Sequence, residues 1–375
     1  MKVLHINCNY LTTVLHQTMI EHLDEQGVES TVFAPTWSLE KAAIKPNTNV
    51  VAKECFHYKD RYVFHYKQGK IRQALEQAVD VSSFDCIHAY TVFTDGNCAR
   101  TLSAQYGIPY VVAVRSTDVH AFFTKMVHLR GLGVRILRDA GAVFFLSEPY
   151  RQLVLRKFVP KQYRVEILTK SYIIGNGIDD FWHENVCKDT GMARLNRIAA
   201  RELRLIYAGR INRRKNLPTT LKAVQILRER GYQVTFRVVG KVEDQEIFDA
   251  LLKDPAVVYV KQQPKERLIE QYRKSDVFVM PSYKETFGLV YAEAMSQGLP
   301  VIYTRGQGFD GQIPEGRAGF SVNAEDSAEI ADKIEKILAN YADMSQAAIR
   351  YIDRFRWDDI CQKYVQIYER ILNQG

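Results

Sequence analysis

Short apolar runs alternate with segments of helical period along nearly the whole chain, and this alternation most limits the folds open to it. Val3–Ile6, Ser30–Phe33, Cys86–His88, Tyr110–Val114 and Val143–Leu146 read as buried strands, with helical material such as His16–Gln26, Ile71–Val79 and Gly96–Tyr106 between them. Strands that take turns with helices build parallel sheets through right-handed crossovers, covered on both faces. At Ile173–Asp179 the run I-I-G-N-G-I-D interrupts the pattern and opens a polar stretch to about Arg201, read as an irregular linker. The alternation then restarts, with strands at Leu203–Ala208, Gln233–Val239, Val257–Val260, Val277–Met280 and Pro300–Tyr303. Helices are expected at Leu217–Arg230, Gln245–Lys253, Glu266–Lys274, Leu289–Gln297 and Ser327–Asn340. The expected architecture is α/β, two doubly wound Rossmann-like domains facing a central cleft, with ligands beyond the carboxyl ends of the strands.

The 375 residues are 46% hydrophobic, which excludes a disordered chain and suffices for two domain cores. Six cysteines without a C-x-x-C pair argue against a disulfide framework or a zinc cluster. The first strand starts at Val3 with no charged leader before it, and no apolar stretch approaches the roughly 18 residues of a membrane span, so a cytoplasmic chain is expected. The net charge of +8 divides equally between residues 1–195 and the rest, and locally Phe122–Arg138 and Arg151–Lys170 are basic stretches in which basic and apolar residues mix. Such stretches either rest on an anionic membrane surface or an acidic acceptor, or are core helices with a solvated basic face. Basic and aromatic residues do not cluster on one short module, so a nucleic-acid partner is excluded.

The most specific chemistry lies in the second half. In P-S-Y-K-E-T-F-G-L-V-Y-A-E, Glu285 follows a buried strand, Gly288 permits close backbone approach, and the helix from about Leu289 carries Glu293. Amides of Phe287, Gly288 and Leu289 at that helix start would form an anion site. The two carboxylates beside it can accept hydrogen bonds from vicinal hydroxyls, or can serve only as acids favoured by the helix dipole. Upstream, L-I-Y-A-G-R-I-N-R-R-K-N brings Gly209, Arg210 and Lys215 to a strand end, where cations can neutralise a diphosphate as its charge grows. Val238-Val239-Gly240 is a second strand ending in glycine.

The arrangement A-G-R-x-x-x-x-K-N, V-V-G and P-S-x-x-E-T-F-G-L-x-x-x-E-A-M-x-x-G-L-P-V-I resembles the donor-binding domain of retaining GT-B glycosyltransferases of family 4. The segments I-H-A-Y-T-V-F-T-D-G, V-R-S-T-D-V-H and I-I-G-N-G-I-D extend the resemblance over nearly the whole chain. It implies an acceptor-side domain over residues 1–178 and a donor-binding domain over 179–356, hinged near Gly175–Asp179, with a final helix at about 357–375 packing back on the first. It implies sugar transfer from a nucleotide sugar, UDP- or GDP-linked, to a hydroxyl of a saccharide or lipid-linked oligosaccharide, in polysaccharide or glycoconjugate synthesis. The alternative is a non-catalytic nucleotide-sugar-binding partner of such an enzyme. Arg210 and Lys215 would hold the diphosphate, Glu293 the ribose and Glu285 a hydroxyl of the transferred sugar. The loop Lys261–Pro264 would meet the base. No D-x-D triplet is present, so neither a metal nor another cofactor is expected.

The first half departs from the family pattern twice. The loop after the first strand, N-C-N-Y-L-T-T, lacks glycine and offers Asn9 and Thr12 instead. Arg115 stands where a histidine is usual and, being always protonated, cannot act as a base. Asp118 either accepts or orients the acceptor's hydroxyl proton, or caps a helix from Val119. His88 is read as a cleft-floor group or a satisfied core histidine, and His120 is left similarly open.

Overall fold

The computed structural model describes residues 1–43, 49–188 and 191–373. In the first half it has β1 (Lys2–Ile6), α1 (Val14–Glu25), β2 (Glu29–Thr36), β3 (Val50–Glu54), α2 (Phe64–Ala78), β4 (Cys86–Ala89) and α3 (Thr94–Tyr106). After these come β5 (Tyr110–Val114), α4 (Arg130–Asp139), β6 (Ala142–Phe145), α5 (Glu148–Lys157), α6 (Arg164–Thr169) and β7 (Ser171–Ile173). The strands form a seven-stranded parallel sheet in the order β3-β2-β1-β4-β5-β6-β7.

The second half continues with α7 (Asp180–Glu184), α8 (Met192–Ala199), β8 (Glu202–Ala208), α9 (Leu217–Glu229), β9 (Gln233–Gly240), α10 (Gln245–Leu252), β10 (Val257–Lys261) and α11 (Lys265–Arg273). It ends with β11 (Val277–Val279), α12 (Leu289–Ser296), β12 (Val301–Thr304), β13 (Gly319–Val322), α13 (Ser327–Ala339), α14 (Tyr341–Tyr351) and α15 (Trp357–Leu372). Its strands form a six-stranded parallel sheet in the order β10-β9-β8-β11-β12-β13. The stretch read as an irregular linker holds two helices, α7 and α8. The second is fixed by Arg194, whose buried guanidinium donates to the carbonyls of Gln297 and Tyr272, a contact no local pattern announces.

The chain divides into two units. One contains Met1–Leu146, Tyr150–Gly175 and the segment from Trp357 on; the other contains Ser147–Pro149 and Asn176–Arg356. Alternation along the strands of the first sheet sends side chains to two cores. Leu4, Ile6, Ile87 and Val112 pack with Leu75, Leu102 and Ile136 on one face. Val3, Val32, Cys86 and Val111 pack with α1 and α15 on the other, against Met19, Leu23, Ile360, Tyr364 and Tyr368.

That second core is unusual in holding histidines. His88 is fully buried, its Nδ1 2.6 Å from the Tyr368 hydroxyl and its ring stacked on Tyr90 at 4.4 Å. His5 meets the Tyr90 hydroxyl at 3.2 Å, and the His16 ring lies 5.0 Å from that of Tyr90. Burial holds His5 and His16 down at about 3 and lowers His88 as well, with Arg115 adding to the effect on His16 and His88. His88 is thus a core residue tying β4 to α15, and the cleft-floor reading is withdrawn.

These histidines fold neutral. Below their ordinary value of about 6.5 the unfolded chain takes up protons that the folded chain refuses, so their contribution to stability falls between about pH 6.5 and about pH 3. Asp95 and Asp118, raised to about 7 and about 6 by burial, act in the opposite sense. His16→Leu isolates one group: the stability lost between pH 7 and pH 5 should shrink by about 2 kcal/mol. Urea melts at the two pH values measure this, and an unchanged difference would show that His16 titrates normally in the fold.

Candidate functional site: a cavity at the strand ends of the second unit

In the second unit, two chain segments run side by side past the ends of β8 and β9. The Gly209 amide donates to Val239 O at 2.9 Å, that of Ile211 to Lys241 O at 2.8 Å, and that of Glu243 back to Ile211 O at 3.0 Å. Ile211 and Val242 form an isolated parallel bridge. This contact needs glycine, because a Cβ on Gly240 (φ +156°) would lie 1.7 Å from the Gly209 carbonyl oxygen. Beside it is a cavity of about 420 Å³, whose wall includes Gly209, Arg210, Gly240, Lys241, Glu243 and Gln263. Val290, in the first turn of α12, and Leu268 supply apolar surface.

Around this cavity the loops are held by buried polar contacts. Asn216, in the left-handed conformation (φ +56°), donates to Pro281 O at 2.9 Å and Ala324 O at 2.6 Å, and accepts from Thr219 Oγ1 at 2.7 Å. Tyr283 donates its amide to Arg214 O. The K-N of the first motif is thereby sewn to the P-S-x-x-E of the second. Lys215 Nζ lies 2.5 Å from Glu285 Oε2 and 3.6 Å from Met280 Sδ, with both charged groups nearly buried. Gly308 packs so tightly against Thr286 and Phe287 that a Cβ there would meet Thr286 O at 1.8 Å. Gly288 has φ +83° at the start of α12. The amides of Phe287, Gly288 and Leu289 have no partner among the described residues.

Glu293 projects from α12 near Tyr272, whose hydroxyl lies 3.5 Å from Oε2, and burial pushes its carboxyl up to about 7. It can therefore accept or donate near neutral pH. Arg210 is 74% exposed, and its Nη1 lies 3.2 Å from Glu243 Oε1. Asn212 Nδ2 donates to the other oxygen of Glu243 at 2.9 Å. Sequence reasoning missed Glu243, Asn212 and Lys241. Glu243 stands three residues after V-V-G, but only the bridge past the strand ends brings it to Arg210.

The first unit's candidates fare differently. Asp118 exposes no surface: Oδ1 accepts the amides of Val92 (3.0 Å) and Phe93 (3.3 Å), and Oδ2 that of Arg115 (2.9 Å). It locks the β4–α3 loop to the loop after β5, so its assignment as a catalytic base is corrected to an anchor. The turn it starts, Asp118–Phe123, is π-helical, and the carboxylate does not cap it. Asp95 does similar work, accepting from the Cys8 amide and the Thr91 hydroxyl. His120 Nε2 lies 3.1 Å from the Tyr150 hydroxyl. The glycine-free first loop closes as a single 3-10 turn, Tyr10–Thr12, with the Asn9 amide on Asn7 Oδ1 and its carbonyl accepting from Thr12. Arg115 is half-buried beside the histidine core.

A sequence profile for glycosyl transferases group 1 matches residues 193–354, and one for glycosyltransferase family 4 matches residues 13–180. The chain belongs to glycosyltransferase family 4. A D-inositol 3-phosphate glycosyltransferase of Arthrobacter sp. (strain FB24) is 32% identical to this family-4 chain over 188 residues, 47% of this chain and 45% of that protein. The match thus spans about half the length of that curated relative. Among solved structures, sucrose-phosphate synthase from Thermosynechococcus elongatus superposes with a TM-score of 0.77 at 19% identity, over 100% of both chains. The Anabaena protein HepE in complex with UDP does so with a TM-score of 0.70 at 17% identity, over 98% of this family-4 chain and 99% of that one. At these identities the likeness speaks for the fold, which is GT-B.

Gly240→Ala tests the strand-end geometry. The added methyl must push Gly209 away, which should cost about 1–3 kcal/mol and disturb the cavity wall. Gly69→Ala in α2, where a Cβ meets nothing within 4 Å, should be neutral or stabilising. Equal melting temperatures for the two variants would show that the close approach carries no load.

Proposed function

We propose that this chain is a retaining glycosyltransferase that moves a sugar from a nucleotide diphosphate donor to an acceptor hydroxyl. The observation that carries the reading is the strand-end cavity with Arg210 and Lys241 in its wall and Val290 of the first turn of α12 beside them. Cations and a helix start at the carboxyl ends of parallel strands suit a diphosphate. Arg210 and Lys215 would bind it, Gln262 and Gln263 would meet the base, and Glu293 would accept from ribose hydroxyls. Glu285 would read a hydroxyl of the transferred sugar. In the reaction the anomeric C–O bond to phosphate breaks and the nucleoside diphosphate leaves with the electron pair. The acceptor oxygen bonds to the anomeric carbon and passes its proton to a departing phosphate oxygen. Retention is supported by the family resemblance, and positive charge at the leaving group would do the work assigned elsewhere to a metal. HepE, solved in complex with UDP, makes UDP-linked donors the first to try.

The acceptor is proposed as a saccharide or lipid-linked saccharide, with Asn9, Arg115 and His120 of the first unit as its candidate contacts. For the lipid-linked case we propose peripheral attachment to an anionic surface. No helix among the described residues is long and apolar enough to cross a membrane. Several cations of the two basic stretches are occupied internally: Arg138 lies over the Tyr163 ring and on Glu166, and Arg164 and Lys170 donate to main-chain carbonyls. Lys125, Arg135, Arg156 and Lys161 remain exposed, as do Val127, Val165 and Leu168. Co-sedimentation should be seen with anionic vesicles at low salt and be lost at high salt or with neutral vesicles; salt-insensitive binding, or none, argues against attachment.

Nucleotide sugars screened by thermal shift and then by turnover test the main reading. The joint variant Arg210→Ala/Lys215→Ala should lower kcat by orders of magnitude, as expected when charged donors to a leaving group are removed. Chelator should leave turnover unchanged; loss of activity restored by a divalent metal would overturn the metal-free mechanism. Glu293→Gln should weaken nucleotide binding. If the ribose donates to a carboxylate, affinity in the parent rises with pH through about 7 as Glu293 ionises, and is flat in the variant.

A further inference from the structure

The cavity assigned to a diphosphate has a carboxylate in its wall. Glu243 is held from three sides: its amide donates to Ile211 O, the neighbouring Val242 is bridged to Ile211, and Asn212 donates to Oε2 at 2.9 Å. Its side chain is 34% exposed, whereas that of Arg210, 3.2 Å away, is 74% exposed. The carboxylate is therefore the fixed member of the pair and the guanidinium the movable one. Hydrogen bonding by Asn212 and the nearby charges of Arg210 and Lys241 hold the Glu243 carboxyl below its usual range, so it is anionic at neutral pH.

We propose that Glu243 is an internal counter-anion for Arg210, a positioning residue that a donor or product diphosphate must displace and that thereby sets how tightly the nucleoside diphosphate is retained. This rests on the nucleotide-sugar reading above. A guanidinium can fork onto one carboxylate or onto phosphate oxygens, and it binds the second only by leaving the first. An enzyme whose product keeps the whole charged part of its substrate risks being held by that product. A resident carboxylate weakens the grip without removing the cation needed during bond breaking. Lys215 is paired with Glu285 in the same manner, so both proposed diphosphate cations carry a protein partner.

The test is a double-mutant cycle in the full-length chain, read by titration calorimetry with UDP, GDP and ADP. Glu243→Gln keeps an acceptor for Asn212 and the shape of the wall, and its melting temperature should stay at the parent value. The nucleoside diphosphate that the parent binds should bind the variant roughly three- to fivefold more tightly, in keeping with loss of one partly exposed competing charge. In an Arg210→Ala background the same substitution should change affinity less than twofold. Unchanged or weaker binding by Glu243→Gln overturns the proposal, as does equal tightening in the Arg210→Ala background, which would mean direct repulsion. A parent that binds none of the three nucleotides brings down the nucleotide-sugar reading itself, and the inference with it.

Discussion

The cavity wall of the second unit depends on two backbones passing closer than any side chain would allow. The contact of Gly240 with the Gly209 carbonyl lets the β8 and β9 segments continue their pairing beyond the sheet, through Ile211 and Val242. A loop that would otherwise wander is thereby a rigid extension of the sheet. Arg210, Asn212, Lys241 and Glu243 are displayed from it at fixed spacing, and main-chain hydrogen bonds, insensitive to side-chain identity, set that spacing. The residues on display are free to vary in chemistry while the frame stays the same.

The charges on that frame are balanced locally. Lys215 with Glu285 and Arg210 with Glu243 form two ion pairs of different character, one nearly buried and one at the surface. The buried pair has given up most of its hydration, so separating it is costly unless a ligand supplies equivalent partners to both members. The exposed pair separates easily.

Much of this was legible in the sequence where the signal is local. Apolar runs and glycine stops located β1, β5 and β8, and the final helix, expected at about 357–375, spans Trp357–Leu372. Gly209, Arg210 and Lys215 could be placed together from the sequence because they share one strand-to-helix loop, and the structure has them between β8 and α9. The strands β3, β7 and β13 were not, since three to five residues are too short to leave a period to detect. Asp118 misled for another reason. A carboxylate after Ser116-Thr117 looks chemically available, and only the fold shows three main-chain amides converging on it from two loops. Glu243 was invisible for the converse reason, because its partner lies 33 residues away across a bridge.

The packing of α15 on α1 has a bearing on how the molecule comes to be. The Cys361 thiol reaches the carbonyl of Met19, 342 positions earlier, and Tyr368 reaches His88 across 280. As the chain leaves the ribosome, the first sheet can cover one of its faces with its own helices, but the other has only α1 on it, and the part that α15 covers stays bare until the entire second unit has been synthesised. Pairings this distant in sequence form late and slowly. For that interval the nascent protein presents an apolar face set with histidines and tyrosines, so a chaperone that shields hydrophobic surface would act on the first unit, and would be released only once α15 arrives.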